Sequence, residues 1–348
     1  MGHAYRAVGW NRQKKIYDRT MGLGVIVYLV LFVGVGLALF PQHSAETLAL
    51  RALATAALLL LHVILSIGPL ARLDRRWLPL LYNRRHMGVL MFSLAFVHGV
   101  FATVYYHALG DTNPLVSVLS ANQRIDSLAH FPFELFGVLA LAILFLMAAT
   151  SHDFWLTNLT APTWKALHML VYVAYAAVVL HVALGTLQAE TSPVMSGLVG
   201  VGVVWVLGLH TVVGWRERGL DRPHAGSPST EGYLDVAGVD ELTDGQAKVV
   251  TLAGDRVAVF RNGDEVSVVS NACQHQNGPL GEGRIIDGLI VCPWHGYQYQ
   301  PRCGRSPEPF TEKIPTFRAQ VRDGRIWVHP TPLPAGTDVE PARIGGEA

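Results

Sequence analysis

Apolar residues along this chain fall into two rhythms. Up to about Trp215 they form long unbroken runs, and beyond it they alternate with charged and glycine-rich positions in short stretches. A helix that crosses a bilayer needs about 20 consecutive apolar residues. Six segments qualify: 21–40, 48–70, 87–108, 133–150, 166–187 and 194–213. Soluble helices carry a polar face at the helical period, which these runs lack, so residues 21–215 are expected to form an all-α bundle in contact with membrane lipid. No cleavable leader is expected, because Arg6, Arg12, Lys14, Lys15 and Arg19 run straight into a full-length span without a small-residue cleavage site.

The second rhythm predicts strands. Residues 246–260 and 265–270 alternate apolar and polar positions around Arg261-Asn262-Gly263-Asp264, a hairpin signal. A small all-β domain is therefore expected over 233–333, followed by a tail at 334–348. A Pro-, Gly- and Ser-rich stretch within 216–232 reads as a tether.

Charge orients the bundle. The net charge of +1 carries no basic stripe, so no nucleic-acid partner is expected. Basic residues gather in the arm at 1–20, between the second and third spans (Arg72, Arg75, Arg76, Arg84, Arg85) and at the exit (Arg216, Arg218, Arg222). The opposite loops hold Arg124 with Asp111, Asp126 and Glu190, while the loop between the fourth and fifth spans, with only Lys165, favours neither side. The positive-inside rule then puts both termini and the β domain in the cytoplasm.

The candidate chemistry begins with Cys273-Gln274-His275 and, after sixteen intervening residues, Cys292-Pro293-Trp294-His295. Two thiolates on one iron and two neutral imidazoles on the other make a 2Fe-2S centre of raised potential. Two Cys and two His also satisfy zinc. Zinc leaves the flanking turns Gly278-Pro279-Leu280 and Gly296-Tyr297-Gln298-Tyr299 unexplained. On these residues the β segment resembles Rieske ferredoxin-like domains, with a second loop nearest that of ring-hydroxylating oxygenases. The resemblance implies one 2Fe-2S cluster held by Cys273, His275, Cys292 and His295. Rieske proteins of cytochrome bc complexes place an extra Cys in each loop, where this chain has Gly278 and Trp294, so their disulfide is not expected. An oxygenase-type iron domain with two His and one carboxylate is not expected in the fifteen residues after Leu333. Cys303 reads as a reduced structural thiol, with a redox role as the alternative; three Cys make no disulfide framework.

Ionisable residues inside spans are functional candidates because hydrocarbon penalises them. His62, His98, His168 and His181 lie within spans, and His86 stands at the start of the third. His168 and His181 are thirteen residues apart, about 20 Å of helix, which places them near opposite leaflets. His86 and His98 lie at matching depths with a constant offset, which suits bis-imidazole ligation of haem. Twelve and thirteen residues do not return to one helical face, so distortion or rotation is required.

Arg84-Arg85-His86-Met87-Gly88 leading to Val97-His98-Gly99, with Trp164-Lys165-Ala166-Leu167-His168 leading to Leu180-His181-Val182, resembles the ferric reductase-like transmembrane family over about 22–215. That family includes ferric reductases, NADPH oxidases and the haem subunit of a bacterial methionine sulfoxide reductase system. The resemblance implies a six-helix haem-binding bundle in which one or two b-type haems are held between the third and fifth spans by His98, His181, His168 and His86. His86 matches less closely, its interval to His98 being shorter than the family's, and an interfacial basic role is its alternative. His62 reads as a packed helix histidine and Glu134 as an interfacial carboxylate. Arg84, Arg85 and Lys165 suit either haem propionates or lipid headgroups. His107, His130, His152, His210 and His224 read as solvated or interfacial.

Ferric reductases and NADPH oxidases of that family carry a flavin- and nicotinamide-binding module after the sixth helix, where this chain has the β domain. The expected protein is an electron-transfer oxidoreductase of a bacterial inner membrane. Its cluster takes single electrons from a soluble donor such as a ferredoxin or flavin reductase, and the haems deliver them to an unknown acceptor outside. Tyr299 is expected to hydrogen-bond a cluster ligand and raise the potential. Quinol-linked flow in reverse to a cytoplasmic oxidoreductase, and a membrane-tethered redox sensor, are the alternatives.

Overall fold

The computed structural model describes residues 12–127, 130–151, 155, 159, 161–189, 193–220, 229–275, 277–294, 296–308 and 310–345. The expected cluster ligand His295 lies outside the described residues, as do Arg6, His152, Glu190, Arg222 and His224.

The first part is helical: α1 (Arg12–Leu39), α2 (Ala45–Leu73), α3 (Leu78–His107), a short α4 (Pro114–Ser120), α5 (Phe133–Ala149), α6 (Ala161–Met169), α7 (Val171–Leu184) and α8 (Pro193–Leu220). Among the described residues five helices are long and apolar enough to cross a membrane, α6 and α7 counting as one from Thr163 to Leu184. The fourth expected span is α5, an apolar helix of 17 residues. That is about 26 Å of helix against a hydrocarbon core of about 30 Å. The α5 helix stops at Thr150, whose hydroxyl turns back to donate to the Leu146 carbonyl.

Two helices outrun their apolar segments. Pro79 occupies the first turn of α3, where its missing N–H costs nothing, so Arg84, Arg85 and His86 are helical. The last helix continues past Val213 to Leu220, because Arg216, Glu217 and Arg218 are good helix formers. Side chains on α1 such as Leu23, Ile26, Val30 and Leu31 point outward. Helix α2 is central: 56% of its apolar window is buried, against 17% or less for the other four long helices. Its Leu61 and Leu65 meet Met91, Ile143, Leu144 and Tyr175 in the bundle core.

The second part is β, with eleven strands among the described residues: β1 (Leu234–Gly238), β2 (Ala247–Leu252), β3 (Asp255–Asn262), β4 (Glu265–Ser270), β5 (Arg284–Ile286), β6 (Leu289–Val291), β7 (Gln298–Tyr299), β8 (Thr316–Phe317), β9 (Ala319–Arg322), β10 (Arg325–Val328) and β11 (Ala342–Arg343). They pair antiparallel in the orders β1-β10-β9, β11-β4-β3-β2 with β8 also on β4, and β5-β6-β7. The expected hairpin is present: Asn262 faces Glu265, and Gly263 turns the chain at a φ of 61°. The longer segment 246–260 divides at Ala253-Gly254 into β2 and β3. Strand β11 pairs with Glu265 and Val266 of β4, so the stretch expected as a tail contributes to the sheet.

Strand alternation sets where the chemistry sits. Val257 and Val259 of β3 enter one core, while Ala258 and Phe260 enter another that holds Cys273, Cys292, Tyr297 and Tyr299. The domain rests on the bundle. Arg72 at the end of α2 donates to Glu282 at 3.1 Å, Arg256 of β3 pairs with Glu217 of α8 at 2.6 Å, and Trp294 packs on Ile67, Ala71, Leu81 and Met87.

Candidate redox centres

The two Cys/His loops share a pattern of backbone hydrogen bonds. Cys273 N–H donates to the Gly278 carbonyl at 2.9 Å and Asn277 N–H to the Cys273 carbonyl at 2.6 Å; Cys292 N–H donates to Tyr297 at 2.7 Å and Gly296 N–H to Cys292 at 3.0 Å. The residue four beyond each Cys, Asn277 or Gly296, has positive φ, the conformation open to Asn and Gly. Both thiols are buried. A Cβ on Gly278 would lie 2.7 Å from Cys292 Sγ and 3.2 Å from Trp294 Cγ, so only glycine lets the first loop pass so close to the second. Such paired loops closing on two buried sulfurs fit a 2Fe-2S group.

Second contacts orient these groups. The His275 ring stacks on Tyr297, centroids 4.8 Å apart and planes at 11°, and the Tyr297 hydroxyl is bonded to Glu312. Tyr299 OH sits 3.4 Å from Cys273 Sγ and accepts from Gln274 N–H at 3.1 Å. Burial, and then the nearby Cys273, raise the Tyr299 pKa, so its hydroxyl keeps its proton and is placed to donate to a Cys273 thiolate. Cys303 is buried, forms no disulfide and donates to Gln300 Oε1 at 3.2 Å, the arrangement of a structural thiol.

The membrane histidines share one device. His98 Nδ1 bonds the Leu50 carbonyl at 3.2 Å, His168 that of Trp164 at 3.1 Å, His181 that of Phe133 at 3.0 Å and His210 that of Val206 at 2.9 Å. A carbonyl only accepts, so Nδ1 carries the proton and Nε2 keeps its lone pair for a metal. His98 and His181 lie within electrostatic range of each other. Gly137 of α5 makes room for the second ring, since a Cβ there would stand 2.8 Å from His181 Nδ1. His168 Nε2 is buried without a hydrogen-bond partner. These are the features of rings that fit axial ligation of a haem.

A cavity of about 870 Å³ opens between the bundle and the β domain, within the size range of small-molecule and cofactor sites. His168, Arg84, Arg85 and Lys165 line it from the bundle, and Asn277 and Trp294 from the two cluster loops. His86 is not among the lining residues; its Nδ1 bonds Asp18 of α1 at 2.8 Å. His210, read from sequence as near a span end, lies inside α8 and does line the cavity. Its signal was the interval to Val213 and Gly214, one helical face that the apolar run ends within. His62 is packed as expected, bonded to Tyr175 OH at 3.0 Å with Gly202 against its ring. Glu134 departs from an interfacial carboxylate: Oε1 accepts from Asn122 and Oε2 is buried without a partner.

Comparison with known proteins resolves two parts. Residues 51–179 match the ferric reductase like transmembrane component and residues 232–318 the Rieske [2Fe-2S] domain. The chain is 29% identical over 116 residues to the alkene monooxygenase system ferredoxin component of Xanthobacter autotrophicus, covering 33% of this chain and 94% of that one. It is 30% identical over 96 residues to the anthranilate 1,2-dioxygenase ferredoxin subunit of Burkholderia cepacia, covering 27% and 88%. It is 31% identical over 87 residues to the methylxanthine N1-demethylase of Pseudomonas putida, covering 23% and 25%. The chain thus spans most of the two ferredoxins and a quarter of the demethylase. Among solved structures, the ferredoxin of carbazole 1,9a-dioxygenase from Nocardioides aromaticivorans is 29% identical, with 28% of this chain and 98% of that one covered and a TM-score of 0.27. With apolar helices long enough to span a bilayer at one end and paired Cys/His loops at the other, the chain is a multi-pass membrane oxidoreductase that belongs to the Rieske ferredoxin-like proteins and joins its Rieske domain to a ferric reductase-like transmembrane domain.

Proposed function

We propose that this protein conducts single electrons across a bacterial inner membrane, from a soluble donor such as a ferredoxin or flavin reductase at its Rieske face to an acceptor on the far side. Cys273, His275, Cys292 and His295 hold the cluster, His98 and His181 hold a b-type haem toward the far leaflet, and His168 supplies a ligand for a second haem beside the Rieske domain. When bound, these groups supply carriers that gain and lose one electron without a proton or hydride. The chain's part is to position them and to keep their surroundings dry. Arg84, Arg85 and Lys165 bring positive charge to the cavity, where it balances haem carboxylates. Trp294 and the adjoining ion pairs hold the cluster loops against the bundle.

Orientation rests on where the basic residues fall. Arg72, Arg84, Arg85, Arg216 and Arg218 belong to the α2, α3 and α8 ends that meet the Rieske domain, which supports a cytoplasmic position for that end. The relatives are named as ferredoxin components of oxygenase systems, which supports a one-electron role for the domain and a soluble redox partner.

The observation that carries this reading is the cavity shared by His168, with its unsatisfied Nε2, and the second cluster loop through Trp294. The test is reconstitution of the purified protein in sealed vesicles, with ferric chelate inside and a reductant admitted to the Rieske face. Lumenal ferrous iron is expected, with two non-haem irons and b-type haem in each chain, and His181→Leu should abolish it. Quinol-dependent reduction of an acceptor at the Rieske face would instead establish the reverse direction. Cluster reduction with no flux in any arrangement would leave the sensor.

A further inference from the structure

We propose that the haem site next to the Rieske domain lies between His168 and His210, so that the fifth and sixth spans, rather than the third and fifth, supply its two imidazoles. The proposal rests on the reading above that a b-type haem is bound beside His168. Both rings line the same cavity of about 870 Å³. Both are fixed alike, each Nδ1 donating to the carbonyl four residues earlier in its own helix, 3.1 Å to Trp164 and 2.9 Å to Val206. Each Nε2 is thereby left as the metal-binding nitrogen. A buried polar atom with no partner is costly in protein alone, and His168 Nε2 is such an atom; an iron would satisfy it.

Neighbouring rings fix the two imidazole planes. Trp164 stacks on His168 with centroids 3.6 Å apart, and Tyr172 meets His210 edge-on at 5.5 Å and 89°. Gly88 and Gly214 also line the cavity, and neither projects a side chain into the space that a flat macrocycle needs. The cavity's Arg84, Arg85 and Lys165 suit a ligand with two carboxylates.

Helical geometry excludes His86. The cavity face of α3 is Leu81, Arg84, Arg85, Gly88 and Met91, a stripe centred on Gly88. At 100° per residue His86 points about 160° away from that centre, toward α1, where Asp18 takes its Nδ1 at 2.8 Å. No rotation of the macrocycle edge brings such a ring to an iron that His168 also holds.

The test uses the full-length protein in detergent. Haem per chain is read by pyridine haemochrome and ligation by ferric EPR, with the Rieske EPR signal of the reduced cluster as the check on folding. Wild type is expected to hold two low-spin haems. His210→Ala should lose one of them or turn it high-spin, with added imidazole restoring the low-spin signal, while His86→Ala keeps both. If His210→Ala lacks the Rieske signal, His210→Met is used, which should keep two haems and change one to a His/Met EPR signature. Two unaltered low-spin haems in His210→Ala, an unaltered signature in His210→Met, or loss of a haem in His86→Ala would each overturn the proposal. Wild-type protein without haem would overturn the proposed function as well; haem that depends only on His98 and His181 would overturn this site alone.

Discussion

One phenolic hydroxyl lies 3.4 Å from the Cys273 sulfur of the proposed cluster. Tyr299 donates to Cys273 Sγ from a buried position, and that bond stabilises the reduced, more negative form of the cluster over the oxidised form. A hydrogen bond worth about 1 kcal/mol corresponds to on the order of 40 mV for a one-electron couple. Tyr299→Phe should therefore lower the cluster potential by that order while leaving its EPR line shape in place, as a redox titration will show. At Gly278 the effect is steric. Its added Cβ would lie 2.7 Å from Cys292 Sγ, so Gly278→Ala should cost the chain its cluster, read as loss of the Rieske EPR signal and of two non-haem irons. Both residues were legible in sequence as part of the turns flanking the Cys/His pairs, because metal chemistry restricts residue type over short intervals. The matching loop hydrogen bonds, with Asn277 and Gly296 in equivalent backbone conformations, were not, since Gln274-His275 and Pro293-Trp294-His295 differ in spacing.

Among the elements, α5 is an apolar helix of only 17 residues, and its Gly137 seats His181. Gly137→Val would drive a branched side chain into an imidazole that already sits 2.8 Å from where a Cβ would be. The expected outcome is loss of the far-leaflet haem with the Rieske signal retained, measured as haem per chain. A second prediction belongs to the 3-10 turn Leu280–Glu282 that follows the first cluster loop. Burial, only partly offset by Arg72, raises the Glu282 pKa. Folding therefore favours the neutral acid more than the unfolded chain does, so this contribution to stability is full below the ordinary glutamate value and is lost as pH rises through the raised one. Melting followed across that window should fall less steeply with pH in Glu282→Gln than in wild type; identical slopes would assign the pH dependence to other groups. Helix depth was legible from the apolar runs, which is what singled out His98, His168 and His181 as candidates. Azimuth was not. Which face of α3 or α8 turns inward depends on packing across the bundle, so neither the contact of His86 with Asp18 nor the place of His210 on the cavity could be read from the runs.

At the scale of the whole molecule, function depends on how the β domain is seated. Arg256 and Glu217 join β3 to the end of α8 at 2.6 Å, with side chains 31% and 20% exposed. A charge-assisted hydrogen bond of this kind is worth about 1.5–3 kcal/mol, and each 1.4 kcal/mol is about tenfold in a population. The tether leaves the domain attached when the pair is broken, so the expected defect is in alignment rather than in assembly. Arg256→Glu, which sets two carboxylates against each other, should slow passage of an electron from the Rieske domain into the bundle by about tenfold or more, with cluster and haem content unchanged. Adding Glu217→Arg should restore most of the rate by reversing the pair. Stopped-flow reduction of the Rieske face, followed at the haem Soret band, gives both numbers. A rate indifferent to the single variant would mean that Trp294 and its apolar seat on α2 and α3 align the two domains without help from charge, and a single variant that the second change cannot rescue would point to Arg256 acting through the cavity it lines rather than through Glu217.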